Sequence, residues 1–513
     1  MLYSYNYSIK ESSNNNFIMT HSKLFFLLLF NFGIAYNTFA INPYSVRMAQ
    51  SEMSRSGAMT SWDYPNGLFI ESILKVYNNY GGSTYYNYAL NYAKATVNAT
   101  TGKIAPGYGF SAYTLDNINP GMFLMQIYAT ENSSQYKIAL DTLRKQLQKQ
   151  PRTNNSTTGG FWHKKSYPHQ MWLDGLYMGT RFYAAYEKAY DNGAGYDDIV
   201  NQFVLIHSKT YDPVYQLNYH AWSAMPAEAS SFWANQSALF LGCSKEFWGR
   251  GMGWYAAALV DVLEVLPANY SRRQELVDIL DQVAAGIKRW QDPASGCWYQ
   301  LLRYNNTMVS NGKANYLESS ASSMFTYALL KAVRLGLISK VNYETTAVKA
   351  YKGLIKNFIS EDASGNLSLN QICKSAGLGP ASSPTRDGTI NYYLNGSDAG
   401  QIVSNDLKGV GPFIMASVEY EIFQSAITET INEKLTSKDF NVINNKNSII
   451  IKSNEIKLSD VVMYNCLGQE KSHWYSHDLS EINIPVANYQ QGIYLLLING
   501  LVSKKVFIPA RYS

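Results

Sequence analysis

The chain has 513 residues, of which 46% are hydrophobic and 16% are charged. A disordered chain is poor in large apolar residues and rich in net charge, so this composition predicts a folded protein. The net charge of +5 is spread without a strong basic block, which disfavours a nucleic-acid-binding role, since that role needs a clustered basic face. The length fits roughly three domains, or one large domain with attachments.

Aromatic residues make up 14% of the chain, and 41 of them are tyrosines. Tyrosine and tryptophan combine an apolar face with a polar group, which suits a wet pocket for sugar rings. A large aromatic-rich core explains the same composition, and composition alone slightly favours that core.

The cysteines and histidines predict no metal or redox site. The four cysteines lie far apart and form no C-x-x-C pair: Cys243, Cys297, Cys373 and Cys466. Buried free thiols are therefore favoured over a disulfide. The seven histidines are scattered, and we expect neither a metal nor an organic cofactor.

The first 40 residues predict a signal peptide. The apolar run LFFLLLF follows Lys23, and smaller, more polar residues lead to Ala40. The run is shorter than the ~20 residues of a membrane span, so export with cleavage after Ala40 is favoured over a membrane anchor. Met19 is a more ordinary start for this signal than the first methionine. We expect a secreted or cell-surface protein, with the periplasm as the alternative.

The chain changes character near residue 428. Residues 428–447 are polar and lack an apolar period, which predicts a linker, whereas residues 448–513 contain β-branched runs between turns, which predicts a small all-β domain. The order V-x-Y-N-x-x-G-Q, GIYLLLI and KKVFI resembles the C-terminal sorting domain of the Bacteroidetes type IX secretion system. This resemblance implies the secretion machinery as a partner; a small carbohydrate-binding β-sandwich is the alternative.

The region 41–427 has the periodicity of α-helices. One apolar stripe runs from Tyr255 to Leu266 and ends at Pro267, and a second begins at Phe325 and ends before Gly336. Proline cannot continue a helix and glycine suits the position after its end, so both stops fit the pattern.

Two further helices are predicted, one from Gly175 to Tyr190 and one from a start near Pro412, since proline suits a first turn.

Six glycine- and aromatic-rich loops suggest how these helices are organised. The loops precede helices at spacings of roughly 50 to 90 residues, over residues 62–67, 115–121, 172–177, 248–254, 318–324 and 409–413. We predict an all-α fold, an (α/α)6 barrel of six helical hairpins followed by the small all-β domain, over an open α-solenoid.

Asp174, in the sequence WLDGLYM, is the first candidate catalytic residue. Apolar surroundings disfavour the charged form of a carboxyl group and raise its pKa. A carboxylic acid that is protonated near neutral pH is what general-acid catalysis requires. A helix N-cap explains the local sequence about equally well.

Asp116, in LDNINPG, is the second candidate. On a ring of hairpins it would face Asp174 across the pocket, raise the pKa of that residue and hold sugar hydroxyls. A capping or turn role is the alternative, and the following Asn-rich turn favours it.

Arg250 lies in a glycine-rich loop between Trp248 and Trp254. This setting suits an arginine that binds a carboxylate beside two stacking faces, and an exposed loop arginine is the alternative. Lys164 and His220 are further donors, although each alone is more often a surface lysine or a structural histidine.

Several long motifs occur in order: HKKSYPHQMWLDGLYM, YHAW, FWGRGMGWYAAALVDVLEVLP, SSMFTYALLKAVRLG, and RDGTINYY followed by NDLKGVGPF. Together they resemble the unsaturated rhamnogalacturonyl hydrolases, glycoside hydrolase family 105, over residues 45–425. The resemblance implies an (α/α)6 barrel that acts on pectin-lyase products carrying a 4,5-unsaturated galacturonic acid at the non-reducing end.

At matching positions the resemblance makes Asp174 the catalytic acid and Asp116 the second pocket carboxylate. It also implies seven substrate-binding residues: Tyr64, His163, Lys164, His220, Trp248, Arg250 and Trp254. Arg181 stands where many relatives have proline, and the loop over 227–243 differs too, so the sugar beyond the unsaturated residue stays open.

The implied reaction is hydration of the C4=C5 vinyl ether by a single acid/base group, rather than the usual scheme with two carboxylates flanking the glycosidic bond. The alternatives are an unsaturated glucuronyl hydrolase acting on glycosaminoglycan or ulvan fragments, a sugar-binding toroid without turnover, and a structural surface protein.

Overall fold

The computed structural model describes residues 43–153, 158–434, 440–445, 447–453, 457–465, 470–499 and 502–509. They belong to two compact units, one spanning Pro43–Thr436 and one whose C-terminal part is Ser437–Ser513. The predicted signal peptide and Cys466 lie outside the described residues.

The first unit is built from helices: α1 (Tyr44–Ser56), α2 (Tyr64–Tyr80), α3 (Ser83–Thr96), α4 (Gly121–Glu131), α5 (Ser134–Gln148), α6 (Arg181–Tyr190), α7 (Tyr196–Thr210), α8 (Gly249–Val265), α9 (Arg273–Arg289), α10 (Ser319–Arg334), α11 (Lys340–Phe358), α12 (Ile390–Asn395) and α13 (Leu407–Lys434). An α-helical turn at Leu173–Gly175 and a π-helical turn at Leu176–Thr180 lead directly into α6. The predicted helix from Gly175 to Tyr190 thus exists, with one irregular turn.

Six of these helices form a closed inner ring. Going round it, α2 packs against α4, α4 against α6, α6 against α8, α8 against α10, α10 against α13, and α13 against α2. Each inner helix also packs against an outer one: α3, α5, α7, α9 and α11 follow their inner partners, whereas α13 pairs with α1. The predicted (α/α)6 barrel is confirmed, and α1, the first helix of the described residues, supplies its sixth outer member.

Burial along the helices explains which of them lie inside. Every residue of α8 from Gly249 to Leu263 is buried, whereas α9 buries only a stripe between Leu276 and Ile287. A helix that is apolar on all sides packs between other elements, and an amphipathic helix covers one face of them. The stop at Pro267 is confirmed, as is Gly336, which follows α10 with a φ of 65°.

Two predicted boundaries were wrong. Helix α13 begins at Leu407, so Pro412 is its sixth residue and not its start. The overlooked signal is Asp406, whose carboxylate accepts a hydrogen bond from the backbone of Lys408 at 2.9 Å and caps the first turn. Helix α13 also continues to Lys434, and the first strand of the C-terminal unit begins at Phe440. The predicted linker over 428–447 therefore has regular structure at both ends.

Short antiparallel strand pairs lie in the loops between helices: β1 (Gln170–Trp172) with β4 (Ala221–Ser223), β2 (Tyr211–Asp212) with β3 (Leu217–Asn218), β5 (Val309–Ser310) with β6 (Lys313–Ala314), β7 (Ile359–Glu361) with β8 (Leu367–Leu369), and β9 (Ile372–Cys373) with β10 (Ile402–Val403). The β1–β4 pair places Trp172 opposite Ala221. It thereby holds the segment before α6 beside the segment before α8.

The C-terminal unit contains two antiparallel sheets. One consists of β11 (Phe440–Asn444), β12 (Ser448–Ser453) and β15 (Glu481–Pro485); the other has the order β14-β13-β16-β17, with β13 (Leu458–Asn465), β14 (Glu470–Leu479), β16 (Gly492–Ile498) and β17 (Val502–Ile508). The predicted all-β architecture is confirmed, although the polar strands β11 and β14 carry no β-branched run that would have revealed them. The sorting role of this unit stays a prediction.

Cys243, Cys297 and Cys373 are buried free thiols, as predicted. Within the described ranges, no cluster of histidine, cysteine and carboxylate side chains is arranged to hold a metal ion. No described helix combines the length and the hydropathy that crossing a membrane requires.

Candidate active site

The segments that precede the inner helices meet at one mouth of the ring. Asp174 lies in the turn before α6, Arg250 is the second residue of α8, and Tyr64 is the first residue of α2. Burial raises the pKa of the Tyr64 hydroxyl, and the charges of Asp116, Arg250, Asp174 and Asp406 also act on it. These five residues therefore lie near one another in the fold.

Asp174 is 8% exposed, and its Oδ2 lies 3.1 Å from Nε2 of His220. Trp172, not Asp174, occupies the N-cap of the helical turn, so the capping alternative is wrong. The backbone N–H of Leu173 donates to the carbonyl of His220 at 3.0 Å. The strand pairing of β1 with β4 thus brings the carboxyl group and the imidazole together.

His220 is completely buried and continues the chain of polar contacts. Its Nδ1 lies 2.8 Å from the hydroxyl of Tyr393 on α12. The imidazole packs against the ring of Trp248, with the centroids 4.6 Å apart, and meets the ring of Trp172 edge-on at 5.5 Å. These contacts fix the orientation of the imidazole next to Asp174.

Asp116 lies in a 3-10 turn and pairs with two cationic groups. Its carboxylate is 2.6 Å from Nζ of Lys164 and 3.3 Å from Nε2 of His163. Burial raises the pKa of Asp116, but Lys164 and His163 outweigh burial and hold this pKa well below its usual range. Asp116 is therefore ionised, and it cannot supply a proton near neutral pH.

His163 is held in place by aromatic stacking. Its ring lies parallel to that of Trp172, with an interplanar angle of 7° and centroids 4.6 Å apart. Tyr167 stacks on the same tryptophan at 4.8 Å. The stack directs the Nε2 edge of His163 at Asp116, so these two aromatic residues support the ionised carboxylate.

Arg250 is 1% exposed and donates hydrogen bonds to the carbonyl of Cys373 at 2.6 Å and to the hydroxyl of Ser320 at 3.3 Å. Among the described residues, it forms no direct ion pair with a carboxylate, and Glu318 contacts it only through the Ser320 hydroxyl. Lys408 lies nearby and pairs with Asp406 at 2.9 Å. Burial lowers the pKa of Lys408, and repulsion from Arg250 lowers it further. The carboxylate of Glu318 accepts a hydrogen bond from the same Ser320 hydroxyl, so this corner holds two cations and two carboxylates close together.

The two tryptophans of the glycine-rich loop do not offer open stacking faces, contrary to the prediction. Trp248 and Trp254 are each 1% exposed. Trp248 packs against His220 and lies 5.0 Å from the guanidinium of Arg250, while Trp254 meets the ring of Tyr64 edge-on at 6.4 Å. Because α8 is enclosed by its neighbours, both tryptophans support the residues at the mouth instead.

Sequence reasoning missed three residues of this site. Tyr393 and Lys408 lie in RDGTINYY and NDLKGVGPF, motifs that were singled out without choosing a residue within them. Trp172 is the first residue of the candidate acid motif WLDGLYM. Their roles depend on contacts with residues far away in sequence, so no local pattern identifies them.

Two carboxyl groups in different surroundings, one beside a histidine and one paired with cationic groups, can take different roles in glycoside hydrolysis. The family model for Glycosyl Hydrolase Family 88 matches residues 41–424. The chain therefore belongs to this family, within the group of unsaturated glycuronyl hydrolases that includes family 105.

Individual relatives agree with this assignment. A solved family 105 glycoside hydrolase of C. acetobutylicum ATCC 824 is 40% identical, has a TM-score of 0.67, and covers 74% of this chain and 99% of its own. "Protein Atu3128" of Agrobacterium fabrum is 40% identical over 190 residues, which are 36% of this chain and 76% of that protein. "Unsaturated rhamnogalacturonyl hydrolase YesR" of Bacillus subtilis is 23% identical over 307 residues, 57% of this chain and 83% of that protein.

Proposed function

We propose that the protein removes the 4,5-unsaturated galacturonic acid from the non-reducing end of rhamnogalacturonan oligosaccharides left by pectin lyases. The observation that carries this proposal is the contact between Asp174 and His220 at the mouth of the barrel. This contact holds Asp174, a largely buried carboxyl group, in the position of the single acid/base group that the reaction needs. The name of the Bacillus relative supports galacturonic acid and rhamnose as the two sugars.

The first chemical step is proton transfer to carbon. The substrate's C4=C5 double bond is conjugated with the ring oxygen, so protonated Asp174 gives its proton to C4 and leaves an oxocarbenium-like centre at C5. Water then adds its oxygen to C5 and returns a proton to the carboxylate of Asp174. The C5 hemiketal opens to a ketone, and the hemiacetal left at C1 collapses to an aldehyde and expels the neighbouring sugar.

The other residues at the mouth hold the substrate during these steps. Arg250, with Lys408 beside it, binds the uronate carboxylate, because its guanidinium donates in this structure to a carbonyl and a hydroxyl group and not directly to a protein carboxylate. Asp116 accepts hydrogen bonds from sugar hydroxyls, since its ion pair with Lys164 keeps it ionised. Asp174 is thereby the acid, and Asp116 is the carboxylate that accepts hydrogen bonds from the sugar hydroxyls.

Turnover in heavy water tests this order of events. We expect the ultraviolet absorbance of the conjugated uronate to disappear and deuterium to appear at C4 of the product. Release of the neighbouring sugar without deuterium at C4 would contradict the proposed hydration, because the glycosidic bond would then break first.

A panel of unsaturated disaccharides tests the substrate. We expect the galacturonyl-rhamnose disaccharide to be consumed faster than sulfated or unsulfated glucuronyl disaccharides. Faster turnover of the glucuronyl compounds would instead favour an enzyme of glycosaminoglycan or ulvan degradation. Binding of any of them without loss of absorbance would indicate a sugar-binding protein.

We also propose that the enzyme is exported through a signal peptide over residues 1–40 and sorted by its strand-rich C-terminal unit. Mass spectrometry of the mature protein should place its N-terminus after Ala40. Deletion of the chain from Phe440 onward should abolish secretion and preserve turnover in cell extracts. Normal secretion of that deletion variant would exclude the sorting role.

A further inference from the structure

We propose that Tyr393 is a positioning residue that fixes the tautomer of His220, so that one oxygen of Asp174 is held by an N–H group and the other is left to carry the catalytic proton. This inference deepens the proposed function and rests on Asp174 as its acid/base group. Tyr393 itself touches neither the substrate nor the reacting atoms in this scheme.

The geometry forms a chain of two hydrogen bonds. The hydroxyl of Tyr393 is 2.8 Å from Nδ1 of His220, and Nε2 of the same ring is 3.1 Å from Oδ2 of Asp174. Tyr393 and His220 are both 0% exposed. Water therefore has no access to the imidazole from outside, and the protein decides which ring nitrogen carries hydrogen.

The hydrogen-bonding capacity of a buried phenol selects one tautomer. The hydroxyl hydrogen of Tyr393 needs an acceptor, because a buried donor without one costs about 1–3 kcal/mol. Within the described part of the chain, the acceptor that the structure places there is Nδ1 of His220. When Nδ1 accepts, the single hydrogen of a neutral imidazole is on Nε2, and Nε2–H donates to Asp174.

Burial raises the pKa of Tyr393 well above its ordinary value, so the phenol keeps the hydrogen that it donates. Tyr393 lies on α12, and its ring stacks on that of Trp248, which directly precedes α8. The two ring centroids are 6.2 Å apart. The hydroxyl is therefore fixed in place at the histidine.

This tautomer suits a carboxyl group that must give and then regain a proton. With Oδ2 of Asp174 bound by Nε2–H, the acid proton resides on Oδ1, and the carboxylate that forms on proton transfer keeps its hydrogen bond. The opposite tautomer would present a lone pair to Oδ2. That lone pair would repel the carboxylate or accept the acid proton, and either effect would impair transfer to C4.

The first test removes one hydroxyl group. For Tyr393→Phe we expect kcat to fall about 10- to 100-fold, the range found when residues that orient metal-bound histidines are removed. We expect a smaller change in KM, because no proposed substrate contact is lost. The matched control is Tyr392→Phe on the same helix, which is 2% exposed and whose hydroxyl bonds to Asp398 and Gly377 instead of His220. We expect its kcat to stay within about threefold of the parent protein, since the histidine keeps its partner.

The pH dependence of kcat separates positioning from packing. Among the described residues, His220 and Tyr64 lie near Asp174, while Tyr392, Glu246, Asp174 and Cys373 lie near Tyr393. Of these, histidine ordinarily titrates nearest neutral pH. Loss of the donor at Nδ1 leaves the tautomer of His220 unfixed, so the acid limb of the profile should move in Tyr393→Phe and stay in place in Tyr392→Phe.

A direct reading of the tautomer needs no change at Tyr393. Nitrogen NMR of the parent protein labelled at its histidines should show His220 with hydrogen on Nε2; the signal is identified by its absence in His220→Gln. Hydrogen on Nδ1 would overturn the inference even if Tyr393→Phe does not fold.

The two proposals fail separately. An active Asp174→Asn variant would overturn the proposed acid. If that variant is inactive while Tyr393→Phe and Tyr392→Phe have equal kcat values, Asp174 stands and the positioning role of Tyr393 is wrong.

Discussion

The same ring of helices holds charged residues in two regions, and the protein neutralises them differently. Deep along the inner helices, the guanidinium of Arg181 pairs with Asp261 at 2.6 Å and also with Glu71, and Lys331 pairs with Asp261 at 2.6 Å. At the mouth, Arg250 donates instead to a carbonyl and a hydroxyl group. The interior charges pair directly with one another, whereas the guanidinium of Arg250 at the mouth donates to neutral acceptors.

The interior network links four inner helices, because Glu71 is on α2, Arg181 on α6, Asp261 on α8 and Lys331 on α10. Asp261 lies about 18 Å along α8 from its first residue, given a rise of 1.5 Å per residue. Buried charges are tolerated when they are paired and hydrogen-bonded. Arg181 thus places a cation where it connects neighbouring helices.

The largest effect that we expect comes from the mouth. Asp174→Asn keeps the shape of the side chain and removes its ability to give a proton, so kcat should fall about 10²- to 10⁴-fold. Decay of the uronate absorbance at saturating substrate measures this loss, and calorimetric titration should show nearly unchanged binding. Decay at the parent rate would mean that another group supplies the proton.

The equivalent change in the interior should affect stability instead. Asp261→Asn leaves Arg181 and Lys331 without their shared carboxylate, and breaking a buried ion pair costs about 3–5 kcal/mol. Unfolding in urea measures this loss of free energy. If folded Asp261→Asn protein loses activity as strongly as Asp174→Asn while keeping its stability, the separation between interior and mouth is wrong.

Lowering the pH should reduce the contribution of the interior ion pairs to the free energy of unfolding. Burial raises the pKa of Asp261, but Lys331 and Arg181 outweigh it and hold this pKa well below its usual range. A depressed pKa contributes stability above the pKa of the unfolded state, about 4, and this contribution is lost as pH falls below it. The difference in unfolding free energy between the parent and Asp261→Asn should therefore shrink from pH 7 to pH 3. A difference that grows with acid would contradict the charged pairing.

Patterns within one helix were sufficient to predict where helices end, whereas the barrel was predicted from the spacing of six loops and from the family resemblance. The stripe that ends at Pro267 and the glycine at Gly336 are local signals, and both mark real helix ends. The start of α13 was placed wrongly because Pro412 was given more weight than the cap at Asp406. The pairing of α1 with α13 joins the two ends of the helical unit, and no local pattern contains it.

At the site, too, local sequence identifies some residues, and contacts between distant segments determine the others. Asp174 and Asp116 stand out through their own neighbours in sequence. The partner of His220 does not, because Tyr393 is 173 residues away and reaches it only through the ring. The solvent exposure of side chains could not be predicted either, because the local sequence around Trp248 is the same whether its ring is exposed or buried.

Binding at the mouth should respond to Arg250 with an intermediate effect. Arg250→Met keeps much of the packing against Trp248 and removes a charge-assisted contact worth about 1.5–3 kcal/mol, which corresponds to roughly a 10- to 100-fold increase in KM. Initial rates over a range of substrate concentrations measure this increase, with kcat as the internal control. An unchanged KM would show that the uronate carboxylate binds elsewhere.

The smallest effect is expected where an ion pair lies in solvent. Lys340 and Glu344 form an i,i+4 pair at 3.3 Å on the outer helix α11, and their side chains are 64% and 32% exposed. Water and salt screen such a pair, and Lys340 stands at the first residue of the helix, where a cation opposes the helix dipole. Lys340→Met should change the free energy of unfolding by less than about 0.5 kcal/mol. A loss as large as that of Asp261→Asn would mean that the number of ion pairs, and not their burial between inner helices, stabilises the ring.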